Sequence, residues 1–171
     1  MYNVVVKERS LYIPTQYIEQ ENKQPVIFLA GPIQGASDWQ RAAINLIHEA
    51  KPDVTIASPR RDYLPGTFNY AEQVDWETHH LQRAGENGAI LFWLAKEQEH
   101  VPGRAYAQTT RAELFEWKVR NERDGAKLVI GIEDGFSGAK YVKHRFSQDC
   151  PAVQITDRLE EACTKAIELI R

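Results

Sequence analysis

The chain has 171 residues, 43% hydrophobic and 26% charged, with a formal charge of −3. That is the composition of one soluble domain with a sizeable core, and the negative balance argues against a broad surface for a nucleic-acid polymer. No apolar run is long enough to span a bilayer, so no membrane partner is expected.

Tyr2 to Lys7 reads as short and strand-like and then turns polar, without a signal-peptide core. Residues 1–24 are expected to form an extension, as an added strand or an oligomer contact, ahead of a domain over residues 25–171. Val26 to Ala30 is an apolar run that stops at Gly31-Pro32, the pattern of a buried strand ending in a turn. Asp38 is placed to cap a helix running to Ala50. Asp53 to Ala57 reads as a short strand closed by Ser58-Pro59. A loop with Pro65-Gly66 leads to a helix over Tyr70 to Ala84. Ala89 to Leu94 is the next buried strand, followed by a polar loop from Lys96 to Gln108. A helix is expected from Thr110 to Asn121, a strand from Lys127 to Ile132 and a short helix from Ser137 to Phe146. Ala152 to Ile155 reads as a fifth strand, and Asp157 as the cap of a last helix. Apolar strands interleaved with amphipathic helices predict a flavodoxin-like, doubly wound α/β domain, with five mainly parallel strands and helices on both faces. Such sheets bind ligands at the carboxyl ends of their strands.

Glu77 is out of place in this pattern. It falls on a helical line with Tyr70, Val74, Leu81 and Ala84, which reads as a core-facing stripe. A lone carboxylate there costs several kcal/mol unless it is paired, hydrogen-bonded or facing a polar cavity. A second acid, Glu113, opens a later helix. Two carboxylates in one pocket are what acid/base and nucleophilic chemistry on sugars needs.

Other motifs carry two readings each. Gly31-Pro32-Ile33-Gln34-Gly35 is either a turn whose backbone N–H groups meet a ligand or an ordinary tight turn. Thr110-x-x-Glu113 reads as a capping box, with Thr110 at the N-cap and Glu113 at N3, or as part of the site. The positive end of that helix favours an ionised Glu113. Ser58-Pro59-Arg60-Arg61-Asp62 places two cations that hold an anion or face solvent, and Arg104 and Arg111 share that ambiguity. His79-His80 point about 100° apart on a helix and rarely chelate one ion. Phe92 and Trp76 read as core, whereas Trp93, near a strand's carboxyl end, is a pocket candidate. The two cysteines, Cys150 and Cys163, show neither metal-site spacing nor a disulfide framework, which makes a reducing cytoplasm the expected compartment. No cofactor and no metal is called for.

Phe28-Leu29-Ala30-Gly31-Pro32-Ile33, Ser58-Pro59-Arg60, Trp76-Glu77-x-x-x-Leu81-x-x-Ala84, Phe92-Trp93 and Thr110-x-x-Glu113 occur in that order. Together they resemble the nucleoside 2-deoxyribosyltransferase superfamily, especially its transferase-like branch. The resemblance implies a flavodoxin-like fold. It also implies cleavage of an N-glycosidic bond by double displacement, with a nucleoside or nucleotide and a free nucleobase as partners. Carried over, Glu113 resembles the nucleophile, and Glu77 the acid that meets the departing base. Gly31, Pro32, Ile33, Gly35, Arg60, Trp93, Gln108 and Thr110 become candidate substrate contacts, and a homo-oligomer is implied. The chain departs from the pattern at three places. Ala107 stands where an aspartate usually binds the sugar 5′-hydroxyl, with Gln108 beside it as a replacement. Gly85 stands where an aspartate follows Ala84. Ile27 and Phe28 occupy the neighbourhood of a first-strand tyrosine. A related branch hydrolyses deoxynucleoside 5′-monophosphates, and its Gly-x-Ile-x-Gly phosphate turn resembles Gly31 to Gly35. Hydrolysis of a monophosphate and a non-catalytic nucleotide sensor are therefore the alternatives.

Overall fold

The structure is a computed structural model that describes residues 10–62 and 65–171. The strand-like reading of Tyr2 to Lys7 lies outside the described residues. The strands are β1 (Leu11–Tyr12), β2 (Val26–Ala30), β3 (Thr55–Ala57), β4 (Gly88–Leu94), β5 (Leu128–Ile132) and β6 (Gln154–Thr156). The helices are α1 (Trp39–Ala50), α2 (Tyr70–Glu86), α3 (Gln108–Asp124), α4 (Ala139–Asp149) and α5 (Leu159–Leu169). The strands form one parallel sheet in the order β1-β3-β2-β4-β5-β6. Apart from β1, this is the flavodoxin-like order 2-1-3-4-5. The sheet thus has six strands, not five: Leu11 and Tyr12 pair with Ile56 and Ala57 and extend its edge. Two residues are too few to leave an alternation signal.

Alternation along the strands divides the core. Phe28, Ala30, Ile90, Phe92 and Leu94 face Trp76, Leu81 and Ala84 of α2, Leu114 and Trp117 of α3, and Val142 and Phe146 of α4. Ile27, Leu29, Leu91 and Trp93 face Trp39, Ala43 and Ile47 of α1, and Ala162, Cys163, Ala166 and Ile167 of α5. Strands covered on both faces read as unbroken apolar runs, which is why they were visible in the sequence. Each large side chain buried this way contributes about 1.5–3 kcal/mol.

The order of strands reverses between β2 and β4. The loops leaving their carboxyl ends, residues 31–38 and 95–107, part there and open a crevice. Both loops are pinned. The Gly35 carbonyl accepts from the backbone N–H groups of Gln98 and Glu99. Gly35 has φ +80°, and a Cβ on it would meet the Glu99 carbonyl at 2.7 Å, so the turn requires glycine. Tyr106 donates its hydroxyl to the Ala95 carbonyl at 2.7 Å. Burial, helped by Glu97 and Glu133, pushes that phenol up to about 12, so it stays a donor.

Helix starts follow local chemistry. Asp38 caps α1 by accepting from the Arg41 N–H, as its position predicts. Asn69 caps α2 in the same way. Two expected caps are corrected. α5 starts after Arg158, not Asp157, with Thr156 Oγ1 accepting from the Arg158 N–H. α3 starts after Ala107, whose φ of 55° is left-handed and whose side chain caps nothing. Thr110 is therefore a buried residue inside the first turn, not an N-cap.

Candidate active site

α2 and α3 lie side by side on one face of the sheet, with their amino ends at the carboxyl edge of the strands. Glu77 sits in the first half of α2 and Glu113 in the second turn of α3. The buried face of α2 is Trp76, His80, Leu81 and Ala84, while Tyr70 is 72% exposed. The expected stripe is thus right for Leu81 and Ala84 and wrong for Tyr70 and Val74, which point outward. Glu77 remains in line with the buried pair.

Both carboxyls are pushed above the usual range. Burial raises Glu77, and a hydrogen bond from Gln73 works against that rise. Glu113 is pushed up to about 8, first by burial, then by the charge of Glu77 and that of Glu116. The charge of Glu77 thus reaches Glu113, which keeps its proton near neutral pH. The expectation that the helix end keeps Glu113 ionised is corrected. Glu113 lies beyond the first three helical residues, past the reach of the terminal N–H groups, and it is crowded by negative charge. The capping-box reading falls with it: Thr110 is not the cap, and Glu113 is not at N3.

A chain of contacts ties the first loop to this pair. Arg60 donates to the carbonyls of Ile33 at 3.1 Å and Ser37 at 2.9 Å, and to Gln40 Oε1 at 3.2 Å. It also pairs with Asp38 at 3.2 Å. Its neighbour Pro59 offers a carbonyl to Gln73 Nε2 at 3.0 Å, and the same nitrogen lies 2.6 Å from Glu77 Oε1. Gln73 was missed in the sequence. Its i,i+4 spacing to Glu77 was the available signal.

The other candidates have these surroundings. Gly31 makes room for packing: a Cβ there would lie 2.3 Å from the Trp93 carbonyl oxygen and 2.6 Å from Trp39 Cζ2. Pro32 is buried, and its carbonyl accepts from Trp39 Nε1 at 2.9 Å. Trp93, the expected pocket candidate, is packed inside the domain. It is 5% exposed, on the α1/α5 face, with its ring filling the space left by Gly131. Arg111 reaches away to Ser137 at 2.8 Å and stacks on Phe136, and exposed Arg104 bonds to Gln34. Gln108 is exposed at the start of α3. His80 is fully buried. Its Nδ1–H donates to the Trp76 carbonyl at 2.8 Å, and Nε2 accepts from the Ile18 N–H at 3.3 Å. Both ring nitrogens are thus used to hold the segment before β2. Among the described residues no group of three or more His, Cys, Asp or Glu could hold a metal ion. No described helix is long and apolar enough to cross a membrane. A wide groove of about 960 Å³ lies elsewhere, between β1, α1 and the loop after β3, and neither carboxylate lines it.

The family model described as nucleoside 2-deoxyribosyltransferase like matches residues 24–114, more than half of the chain. The chain belongs to that family. The match opens just before β2 and closes just after Glu113, so it takes in both loops of the crevice and both carboxylates. No curated protein matches the chain. Membership in the nucleoside 2-deoxyribosyltransferase-like family agrees with the parallel sheet and its strand order.

Proposed function

We propose that the chain cleaves the N-glycosidic bond of a (deoxy)nucleoside through a covalent glutamyl-sugar intermediate on Glu113 and passes the sugar to another base. The two buried carboxyls, with the charge of Glu77 raising Glu113, carry this reading. One proton on two carboxyls is the count the step requires. A carboxylate oxygen of Glu113 attacks the anomeric carbon. The bond from that carbon to the base nitrogen breaks, its electron pair goes to the base, and Glu77 supplies the proton the base takes. In the return step the acceptor's nitrogen displaces Glu113 and Glu77 takes the acceptor's proton. A positioned acid of this kind is worth about 10²–10⁴-fold in rate. Burial leaves both carboxyls poorly solvated, and the charge of Glu77 helps hold the resting proton on Glu113, which is how environment separates two like groups into two roles.

A plain nucleoside is favoured over a 5′-monophosphate. Arg60, Arg104 and Arg111 are engaged with protein partners, so a phosphate would have to displace existing bonds. Gln108, exposed beside Ala107, is the proposed partner of the 5′-hydroxyl. Gly31, Pro32, Ile33, Gly35 and Thr110 shape the crevice in this reading. The same reading includes a cytoplasmic homo-oligomer, with Phe68 and Tyr70, 54% and 72% exposed at the start of α2, as a contact.

The test is to incubate the protein with deoxynucleosides and their 5′-monophosphates, with and without an acceptor base, and to separate products by chromatography. Base exchange on nucleosides is expected. Hydrolysis confined to monophosphates supports the glycosidase instead, and binding without turnover supports a sensor.

A further inference from the structure

Gln73 stands one turn before Glu77, so the two side chains share a face of α2. Its Nε2 lies 3.0 Å from the carbonyl oxygen of Pro59. A carbonyl oxygen only accepts, so this contact fixes which end of the amide is the nitrogen. Pro59 is itself buried, just after β3, which roots the amide in the sheet. The second N–H of Nε2 then meets Glu77 Oε1 at 2.6 Å. That oxygen is an acceptor and not the bearer of a proton.

Among the described residues, the charges acting on Glu113 are Glu77 across the helix gap and Glu116 on its own helix, both negative. The sheet beneath presents Phe28, Ala30, Phe92 and Leu94. Arg60, from the loop after β3, turns to Asp38, and Arg111, from the start of α3, turns to Ser137. In such surroundings one neutral donor decides between two otherwise similar acids.

We propose that Gln73 is a positioning residue that assigns the oxygens and the proton of the pair. Its amide holds Glu77 as the ionised member, leaves Glu77 Oε2 as the oxygen that takes up and hands on a proton, and leaves Glu113 to carry the proton in the resting protein. This rests on the reading of Glu77 and Glu113 as the reacting pair. Before attack, the Glu113 proton passes to Glu77 Oε2. Glu113, now a carboxylate, bonds to the anomeric carbon, and the base leaves with the electron pair and the Oε2 proton. Glu77 is then again the ionised acceptor of Gln73. One proton moves twice, and no other reactant is needed.

The experiment titrates the side-chain carboxyl carbons of Glu77 and Glu113 by 13C NMR in the wild type, Gln73→Met and Gln73→Lys. Methionine keeps the length and removes the donor; lysine restores a donor and adds charge. Glu77 is expected to titrate below Glu113 in the wild type. Gln73→Met should raise Glu77 by about one pH unit and lower Glu113, and Gln73→Lys should bring Glu77 below its wild-type value. A Glu77 titration that stays put in either folded variant overturns the proposal. This readout needs no substrate, so it stands or falls apart from the proposed activity. With a substrate that turns over, the acid limb of kcat/KM should move up in Gln73→Met and down in Gln73→Lys. A uniform drop with no movement of the limb overturns the relay.

Discussion

Gly85 of α2 lies directly against the Trp117 ring of α3: a Cβ on it would fall 2.2 Å from Cζ3. The ring is fixed from outside by the Arg120 guanidinium, 4.8 Å from its centre. Gly85 comes two turns after Glu77, and Trp117 one turn after Glu113. This contact sets how closely the two helices run, and with it the gap between the acids. It also gives a physical reason for glycine at a position where the resemblance expects an aspartate.

Gly85→Ala is therefore expected to destabilise by about 1–3 kcal/mol, the usual cost of overpacking. In a Trp117→Leu background the clash is gone, and the same change should stabilise by up to about 1 kcal/mol, the helix-propensity gain of alanine over glycine. Urea unfolding of the four proteins checks the reversal of sign.

Glu113→Gln should stabilise the fold while stopping turnover. The unfolded carboxyl ionises near 4.5 and the folded one near 8. Between those values the folded state holds a proton that the unfolded state has released. Stability from this group is thus present below pH 4.5 and lost as pH rises to 8. Glutamine removes the loss. The variant should gain on the wild type as pH rises, by about 1–2 kcal/mol at pH 8 after allowance for partial exposure. Unfolding curves at pH 5, 7 and 8 check this. A difference that does not change with pH contradicts it.

His80 works in the opposite direction. Burial is the main cause of its fall from 6.5 to about 4. Below pH 6.5 the unfolded imidazole takes a proton that the folded one refuses, so stability is lost progressively down to about pH 4. The total is on the order of 3 kcal/mol. Because Nε2 accepts from Ile18, the segment at residues 13–22 should open first. Amide exchange at Ile18, followed from pH 7 to 4.5, reads this directly.

Ala107→Gly should stabilise by about 1 kcal/mol, because alanine carries a left-handed φ of 55° that glycine adopts without strain. Thermal melts test it. An unchanged or lower midpoint shows that the turn before α3 is not held under strain.

The core strands were legible because burial on both faces leaves an unbroken apolar run, as in Val26 to Ala30 and Ala89 to Leu94. α1 was legible because Asp38 makes the cap its residue type favours. The starts of α3 and α5 were not, because neither Ala107 nor Arg158 carries a side-chain cap. Glu77 was conspicuous as a charge in line with Leu81 and Ala84. Its anchor was not, since Gln73 acts through a bond to Pro59, fourteen residues away in sequence. Trp93 was read from its place near the carboxyl end of β4, and alternation along that strand turns its ring to the α1/α5 face, against Gly131 of the neighbouring strand.

In the proposed reaction Glu113 bonds to the sugar. Acid quenching during turnover of a deoxynucleoside, followed by peptide mass spectrometry, tests it most directly. A pentosyl mass is expected on the peptide that contains Glu113, absent in Glu113→Gln and lost when an acceptor base is added before the quench. Turnover with no adduct on that peptide, or an adduct on Glu77 instead, contradicts it.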